Sequence, residues 1–179
     1  MSMTSRLGSL FTFTLVTALG ASACSGGGAE PQTASAGSAP DFSLQSVDGK
    51  TVRLSEYAGK SVVLLDFWST TCDPCMVEMP HLVDLYKANK DKGFVVLAIS
   101  LDGPESLAEV NRVVHDKDMI FPVLLDQETV VVSRYNPKKE MPFSVLIGKD
   151  GNIIEKHAGY QPGDEKALGE KVEKALAAK

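Results

Sequence analysis

The sequence is poor in the residues that build metal sites. It has only three cysteines and three histidines in 179 residues, and a single tryptophan. A structural zinc site needs four ligands, but there is no second Cys-x-x-Cys pair, and His81, His115 and His157 stand alone. We therefore expect the histidines to be surface or packing residues.

Positive charge is also scarce. The 18 Lys and Arg residues are scattered along the chain and are outnumbered by 23 Asp and Glu residues, which gives a net charge of −5. This excludes the basic stripe that nucleic-acid binding needs, and with it nucleic acid as a partner. The composition, 44% hydrophobic and 23% charged, is typical of one globular domain with appendages.

A long apolar run is missing too, even at the N-terminus. Residues 1–23 have the pattern of an export signal, with Arg6 before a short apolar core and small residues at the cleavage site. That core is too short and too rich in Thr, Ser and Gly for a transmembrane helix. Residues 24–40, mostly Gly, Ala and Ser, are predicted to be a flexible tether, and residues 41–179 the folded domain.

The chain is organised around residues 61–80, SVVLLDFWSTTCDPCMVEMP, which predict a buried strand, a tight turn and a helix. Cys72 and Cys75, at i and i+3 of the first helical turn, would have Cα atoms roughly 5–6 Å apart. A disulfide could therefore open and close without moving the backbone. Because a helix N-terminus stabilises a thiolate, Cys72 is the expected nucleophile and Cys75 the resolving thiol. A zinc half-site and a static disulfide are the alternatives.

The rest of the domain alternates strands and helices, which favours an α/β sandwich with right-handed crossovers. We predict hairpins where Asp-Gly pairs divide short alternating stretches. One predicted helix carries Leu107, Val110 and Val114 inward. Residues 129–135 are ambiguous, since three consecutive valines favour a strand. The other predicted strands are 41–47, 51–54, 94–101, 121–125, 143–147 and 152–157, and the other helices begin near residues 73 and 163.

The run LLDFWSTTCDPCMVEMPHL resembles the active-site segment of thioredoxin-fold proteins, most closely the extracytoplasmic TlpA/ResA-like thiol–disulfide oxidoreductases. The resemblance extends from about residue 40 to the C-terminus. It implies a thioredoxin-like α/β fold, with a central mixed sheet flanked by helices, an N-terminal β-hairpin and a strand–helix insertion. It also assigns residues 129–135 to a short helix. No cofactor is implied besides the redox-active disulfide Cys72–Cys75.

The resemblance assigns roles to three residues near the cysteines. Asp66 matches the thioredoxin acid six residues before the first cysteine, which implies a buried acid of raised pKa that acts as a general base towards Cys75. The alternative is an Asp held by local hydrogen bonds. Glu78 occupies the position of the ResA-like active-site glutamate, although a Glu on such a helix is usually solvated. Trp68 is expected either to shield the pair and shape the docking surface or simply to pack in the core.

The same resemblance implies that the Met141-Pro142 bond is cis and that the Met141 backbone pairs with an extended substrate. Two departures from the family pattern bear on substrate preference. The segment 135–142 is one residue longer than usual, and Phe143 replaces the common Thr.

Asp73 and Pro74, between the two cysteines, are expected in the substrate-binding surface. Pro74 is tolerated in the first helical turn because no N–H donor is needed there. The negative charge of Asp73 should offset part of the thiolate stabilisation at Cys72. Since strong oxidants of this fold stabilise the thiolate, the dipeptide Asp73-Pro74 favours a reductant.

Cys24 follows the cleavage site directly and resembles the cysteine of a bacterial lipobox. Ala23 fits that motif, whereas Ala21 departs from the usual Leu. Lipidation at Cys24 would anchor the domain to a membrane, facing the periplasm or the outer side of the cytoplasmic membrane. The alternative is ordinary signal-peptidase cleavage, which would leave a spare thiol.

Taken together, the resemblance implies a lipoprotein that reduces disulfides of exported proteins, with electrons from a membrane thiol reductase of the DsbD/CcdA type. The haem-attachment Cys-x-x-Cys of apocytochromes c, a target in cytochrome c biogenesis, is one candidate substrate. A thiol oxidase or isomerase is an alternative of the same chemistry. A peroxiredoxin would have Pro in place of Leu65, and a copper-binding module would need Cys-x-x-x-Cys with a placed His.

Overall fold

The computed structural model describes residues 37–178. One sheet contains seven strands: β1 (Ser43–Ser46), β2 (Thr51–Arg53), β3 (Val62–Trp68), β4 (Phe94–Ser100), β5 (Val123–Leu125), β6 (Phe143–Ile147) and β7 (Ile153–Ala158). Four α-helices connect or flank them: α1 (Asp73–Asn89), α2 (Leu107–Asp116), α3 (Val130–Tyr135) and α4 (Asp164–Ala177).

The strand order is β2-β1-β5-β4-β3-β6-β7. Strands β3, β4 and β5 are parallel, and the remaining neighbours pair antiparallel. The sheet is therefore mixed, with the predicted N-terminal hairpin of β1 and β2 at one edge. Because β3 lies near the centre and is covered on both faces, all seven of its residues are buried.

Alternate residues of β3 face two different layers. Val62, Leu64 and Trp68 pack with α1, α2 and α4, whereas Val63, Leu65 and Phe67 pack with α3 and the N-terminal hairpin. Since side chains alternate along a strand, Asp66 belongs to the first layer. The only acidic residue of this strand thus faces the helix that carries the cysteines.

The buried face of helix α2 differs from the predicted one. Val110 and Val113 are buried, Val114 is half-buried, and Leu107 is 38% exposed. The α-helix begins only at Leu107, after a 3₁₀ turn over Pro104–Ser106. The inward stripe is therefore set by the i, i+3 pair Val110 and Val113, and the prediction for Leu107 is wrong.

Helix α3 confirms the helical assignment of residues 129–135 against their strand propensity. Asp126, at the end of β5 and only 2% exposed, accepts hydrogen bonds from the backbone N–H groups of Val130, Val131 and Val132. These are N–H groups that the first turn of a helix leaves without partners. One carboxylate therefore offsets the poor helix propensity of three valines.

The first described residues are hydrogen-bonded to the turn between β6 and β7 and to the first residue of β7. Ala39 N–H donates to the Gly151 carbonyl (3.0 Å), and Ile153 N–H donates to the Gly37 carbonyl (2.7 Å). These contacts begin inside the segment that the sequence assigns to the tether. The predicted signal peptide and Cys24 lie outside the described residues. None of the helices between residues 37 and 178 is long and apolar enough to span a bilayer.

Replacing the capping carboxylate should destabilise the fold. We expect Asp126→Ala to lower the free energy of unfolding by about 2–4 kcal/mol, because three N–H groups, two of them buried, lose their acceptor. Urea unfolding measures the change. Asp84→Ala, at an exposed position of α1, removes the same charge and should change stability by less than about 0.5 kcal/mol. Equal losses in the two variants would contradict the capping role.

Candidate active site

The two cysteines form a disulfide at the start of α1, with their Cα atoms 5.3 Å apart. Cys72 is the N-cap residue, and its Sγ accepts a hydrogen bond from Cys75 N–H (3.2 Å). Cys72 is 8% exposed and Cys75 only 1%. The sulfur at the helix N-terminus is thus the one that a second molecule can reach, while the other lies beneath it.

A buried carboxylate holds the turn that presents Cys72. Both oxygens of Asp102 accept from Thr70 N–H (3.2 and 3.0 Å), and Oδ1 also accepts from the Thr70 hydroxyl (2.6 Å). Ser100 Oγ donates to Asp102 Oδ2 (2.8 Å). The segment after β3 is therefore fixed to the segment after β4, one strand away.

The sequence analysis missed the contacts between Asp102 and Thr70, although the sequence contains a signal for them. Thr70 follows β3 and Asp102 follows β4, and these strands are parallel neighbours. Because the carboxyl ends of parallel neighbours meet at one edge of a sheet, polar residues directly after them come together.

Asp66 is 1% exposed and lies in the layer between the sheet and α1. Its Oδ1 has no hydrogen-bond partner among the described residues. Burial disfavours the charged form and raises the pKa of Asp66 well above its ordinary value. The orphaned oxygen favours a buried acid of raised pKa over an Asp held by local hydrogen bonds.

Glu78 is also buried, at 6% exposure, which is unusual for an acid on an amphipathic helix. Its pKa is raised, first by burial, then by the nearby charge of Asp66 and by that of Asp164. Asp66 and Glu78 are therefore close enough to influence each other electrostatically. Of two coupled carboxyls, one retains its proton to a higher pH than the other.

A cavity of about 120 Å³ lies beside Glu78, between α1 and α4. Its polar lining includes His81, Ser144 and Tyr160, and its apolar lining includes Leu82. Neither cysteine is among the lining residues that the structure describes. This cavity therefore borders Glu78 but does not lead to the disulfide.

The histidines take the surface and packing positions expected of them. His81 stacks on Tyr160 with ring centroids 6.1 Å apart, His157 lies 3.3 Å from Asp164, and His115 is exposed. Within residues 37–178, no group of three or more His, Cys, Asp or Glu side chains is arranged to hold a metal ion.

The Met141-Pro142 peptide bond is cis, as the resemblance implied. Phe143 pairs with Phe67 across β6 and β3, so Pro142 lies opposite the end of β3, directly before the cysteine turn. Met141 is half-buried and packs on the same cluster as the cysteines. The segment that the sequence analysis assigned to substrate binding is thus next to the disulfide.

The other residues assigned to substrate binding differ in exposure. Asp73 and Pro74 are exposed at the start of α1. Trp68 has no exposed surface and packs in the cluster that contains both cysteines. This position favours the packing interpretation of Trp68, since a residue without exposed surface does not itself contact a partner.

The fold and the cysteine pair define a class of protein. A strand that leads through a short turn into a helix with Cys-x-x-Cys in its first turn, next to a cis proline, is the arrangement of thioredoxin-like thiol–disulfide oxidoreductases. The chain is similar to the thioredoxin domain of a thiol–disulfide oxidoreductase from Bacteroides vulgatus, with a TM-score of 0.64 and 30% identity over 78% of this chain and 95% of that one. It is also similar to a thiol:disulfide interchange protein from Chlorobium tepidum, with a TM-score of 0.68 and 26% identity over 79% and 97%.

Sequence comparison gives the family. Residues 36–156 match the AhpC/TSA family. The chain is 38% identical over 127 residues to the thiol–disulfide oxidoreductase ResA of Bacillus cereus, which is 71% of each chain. It is 42% identical over 121 residues to ResA of Oceanobacillus iheyensis, covering 65% of this chain and 61% of that one. The chain therefore belongs to the AhpC/TSA family and is a ResA-like thiol–disulfide oxidoreductase with a thioredoxin-like fold.

The buried carboxyls make stability depend on pH in a defined direction. The pKa of Asp66 is higher in the folded than in the unfolded chain, so its protonation stabilises the fold fully below about pH 4, and this contribution is lost as the pH rises through the raised pKa. We expect the stability of Asp66→Asn relative to the parent to increase as the pH rises from 5 to 8. The increase should be at least about 1.4 kcal/mol, the free energy of one pKa unit. Urea unfolding of the oxidised proteins at both pH values measures this.

Glu78→Gln should behave in the same way, because the pKa of Glu78 is raised as well. Asp84→Asn, on the exposed face of α1, is the control and should show the pH dependence of the parent. If the relative stability of Asp66→Asn were the same at pH 5 and pH 8, Asp66 would not hold a raised pKa.

Proposed function

We propose that the protein is a reductant of disulfides in exported proteins, acting through Cys72 and Cys75. The observation that carries the proposal is the disulfide at the start of α1, with the more exposed cysteine at the helix N-terminus and the buried one on the same helix as buried Glu78. Such an arrangement suits two successive thiol–disulfide exchanges at one place.

In the proposed reaction, the Cys72 thiolate of the reduced protein attacks one sulfur of the substrate disulfide. A Cys72–substrate bond forms, the substrate S–S bond breaks, and the second substrate sulfur leaves as a thiolate that takes a proton. Cys75 then loses its proton to Asp66 and attacks the Cys72 sulfur. The Cys72–Cys75 bond forms, the Cys72–substrate bond breaks, and the first substrate sulfur leaves as a thiolate that takes up a proton, while Asp66 releases its own. The substrate leaves with both cysteines reduced, and the protein leaves with the Cys72–Cys75 disulfide.

The buried acids suit the second step. Cys75 is almost completely buried, and a thiol there is harder to ionise than one at the surface. A carboxylate of raised pKa in the same layer is a suitable base, because its affinity for a proton is closer to that of the thiol. We assign this role to Asp66 and assign Glu78, which borders the cavity, to proton exchange with the surroundings.

Substrate binding is assigned to the surface around Cys72. The backbone of Met141, held by Pro142, would pair with an extended segment of the substrate, and Asp73 and Pro74 would border it on the helix side. Trp68 would support this surface from beneath, since it has no exposed surface of its own.

Asp73 also supports the direction of electron flow. It is exposed in the first turn of α1, next to Cys72. A negative charge at this point disfavours the neighbouring thiolate and so makes the reduced form less stable and more reducing. To complete the cycle, two electrons and two protons must return to the disulfide, and we assign their supply to a membrane thiol reductase of the DsbD/CcdA type.

We place the protein outside the cytoplasmic membrane, anchored through lipidated Cys24. The predicted export signal and the lipobox-like sequence support this placement, and the similarity to proteins named ResA agrees with it. A substrate with a Cys-x-x-Cys disulfide, such as an apocytochrome c, fits the proposed role in cytochrome c maturation.

The reduction potential of the Cys72–Cys75 pair tests the direction. We expect a value at or below about −220 mV, in the range of thioredoxins and glutaredoxins, after equilibration with dithiothreitol and glutathione buffers. A value near about −120 mV would make the protein an oxidant, and a pair that is never reduced would leave only a structural bridge. Turnover of hydrogen peroxide, absent in the Cys72→Ser control, would instead indicate a peroxidase.

The role of Asp66 can be separated from that of the nucleophile by kinetics. In Asp66→Asn we expect the resolution of a Cys72 mixed disulfide by Cys75 to slow by about 100-fold, the lower end of the range for a general base. Formation of the mixed disulfide should change less than about threefold, because it does not use Cys75. Stopped-flow mixing of the reduced protein with a small aromatic disulfide resolves both steps, and equal slowing of the two would exclude Asp66 as the base.

A further inference from the structure

Helix α1 contains a gap in its hydrogen bonds one turn after the cysteines. Pro80 lies inside the helix and has no N–H group. In a regular helix the N–H of residue 80 would donate to the carbonyl of Met76, four residues earlier. The Met76 carbonyl therefore needs another donor, because an unpaired backbone carbonyl that is partly shielded from water costs free energy.

Lys117 supplies that donor. Its Nζ donates to the Met76 carbonyl at 3.0 Å, and both residues are half-buried. Lys117 lies 41 positions along the chain, directly after α2. An ammonium group from the loop between α2 and β5 thus donates to the carbonyl that the N–H of residue 80 would pair with in a regular helix.

The contact is close to the redox pair. Met76 follows Cys75 directly, and its own N–H donates to the Cys72 carbonyl (3.2 Å). Met76 therefore donates a hydrogen bond to Cys72 through its N–H and accepts one from Lys117 through its carbonyl. The ionisable side chains nearest in the chain to this region are acidic, namely Asp73, which is exposed, and Asp66 and Glu78, which are buried.

The same loop has a second connection to α1. Lys87 Nζ donates to Asp118 Oδ2 at 2.7 Å, three helical turns after the cysteines. This pair is exposed and contributes little by itself. It nevertheless links the residue next to Lys117 to α1.

We propose that Lys117 is a positioning residue of the redox site. Its ammonium group closes the gap that Pro80 leaves in α1, and it brings a positive charge to the first turns of the helix that stabilises the Cys72 thiolate. The inference does not depend on the direction of electron flow, since it concerns the relative stability of the dithiol and the disulfide in either role.

A double-mutant cycle tests the first part. Pro80→Ala restores an N–H donor for the Met76 carbonyl and makes Lys117 dispensable there. We expect Lys117→Met to lower the urea midpoint of the parent clearly and that of Pro80→Ala by less than half as much. Equal shifts in both backgrounds would overturn the claim that Lys117 fills the gap.

The reduction equilibrium tests the second part, and three substitutions separate charge from hydrogen bonding. Lys117→Arg keeps both, Lys117→Gln keeps a donor without charge, and Lys117→Met keeps neither. We expect Lys117→Gln and Lys117→Met to shift the thiol–disulfide equilibrium with glutathione by about two- to fivefold towards the Cys72–Cys75 disulfide. Arg should restore the value of the parent.

The unfolding midpoints of the same variants should follow a different order. Lys117→Gln should be closer to the parent than Lys117→Met, because the Gln amide still donates to the carbonyl. Lys166→Met, at an exposed position of α4, controls for loss of one positive charge. A reduction equilibrium in Lys117→Gln equal to that of the parent, or a Lys166→Met shift as large as that of Lys117→Met, would overturn the electrostatic role.

Discussion

Two sulfur atoms that bond and separate in place require a backbone that holds them at one distance in both states. The first turn of α1 provides this spacing, 5.3 Å between the two Cα atoms, and much of the surrounding structure serves to keep it. Strand β3 fixes where the turn begins, Asp102 fixes the turn itself through Thr70, and Lys117 completes the helix beyond it. Each of these anchors comes from a different part of the chain.

A second constraint comes from placing carboxyl groups in the same layer. Burying Asp66 and Glu78 costs free energy that an apolar pair would not, and protonation reduces that cost. A thiol and an acid of similar proton affinity can exchange a proton easily, whereas an ordinary exposed carboxylate is too weak a base. The energetic cost and the proposed chemistry thus have the same origin, the exclusion of water from the two carboxyls.

Local pattern in the sequence predicted most of the fold and the centre of the site. Strand β3, helix α1 and the cysteine pair follow from hydrophobic periodicity and spacing, and the hairpins follow from Asp-Gly turns. Propensity was misleading at residues 129–135, where the buried carboxylate of Asp126 outweighs the preference of valine for strands. The prediction that Leu107 faces inward was wrong, because it depended on the residue at which the helix begins. The contacts of Asp102 and Lys117 could not be found from periodicity, since they join residues 32 and 41 positions apart.

The bonds of residues 37–39 to the β6–β7 turn have a consequence for how the domain faces its surroundings. Ile147, at the end of β6, pairs with Val63 at the start of β3, whereas the cysteines follow the end of β3. Residues 37–39 therefore lie at one end of the sheet, and the cysteines follow the opposite end, about 20 Å away along a seven-residue strand. A partner that reaches Cys72 thus meets the end of the sheet that the first described residues do not occupy.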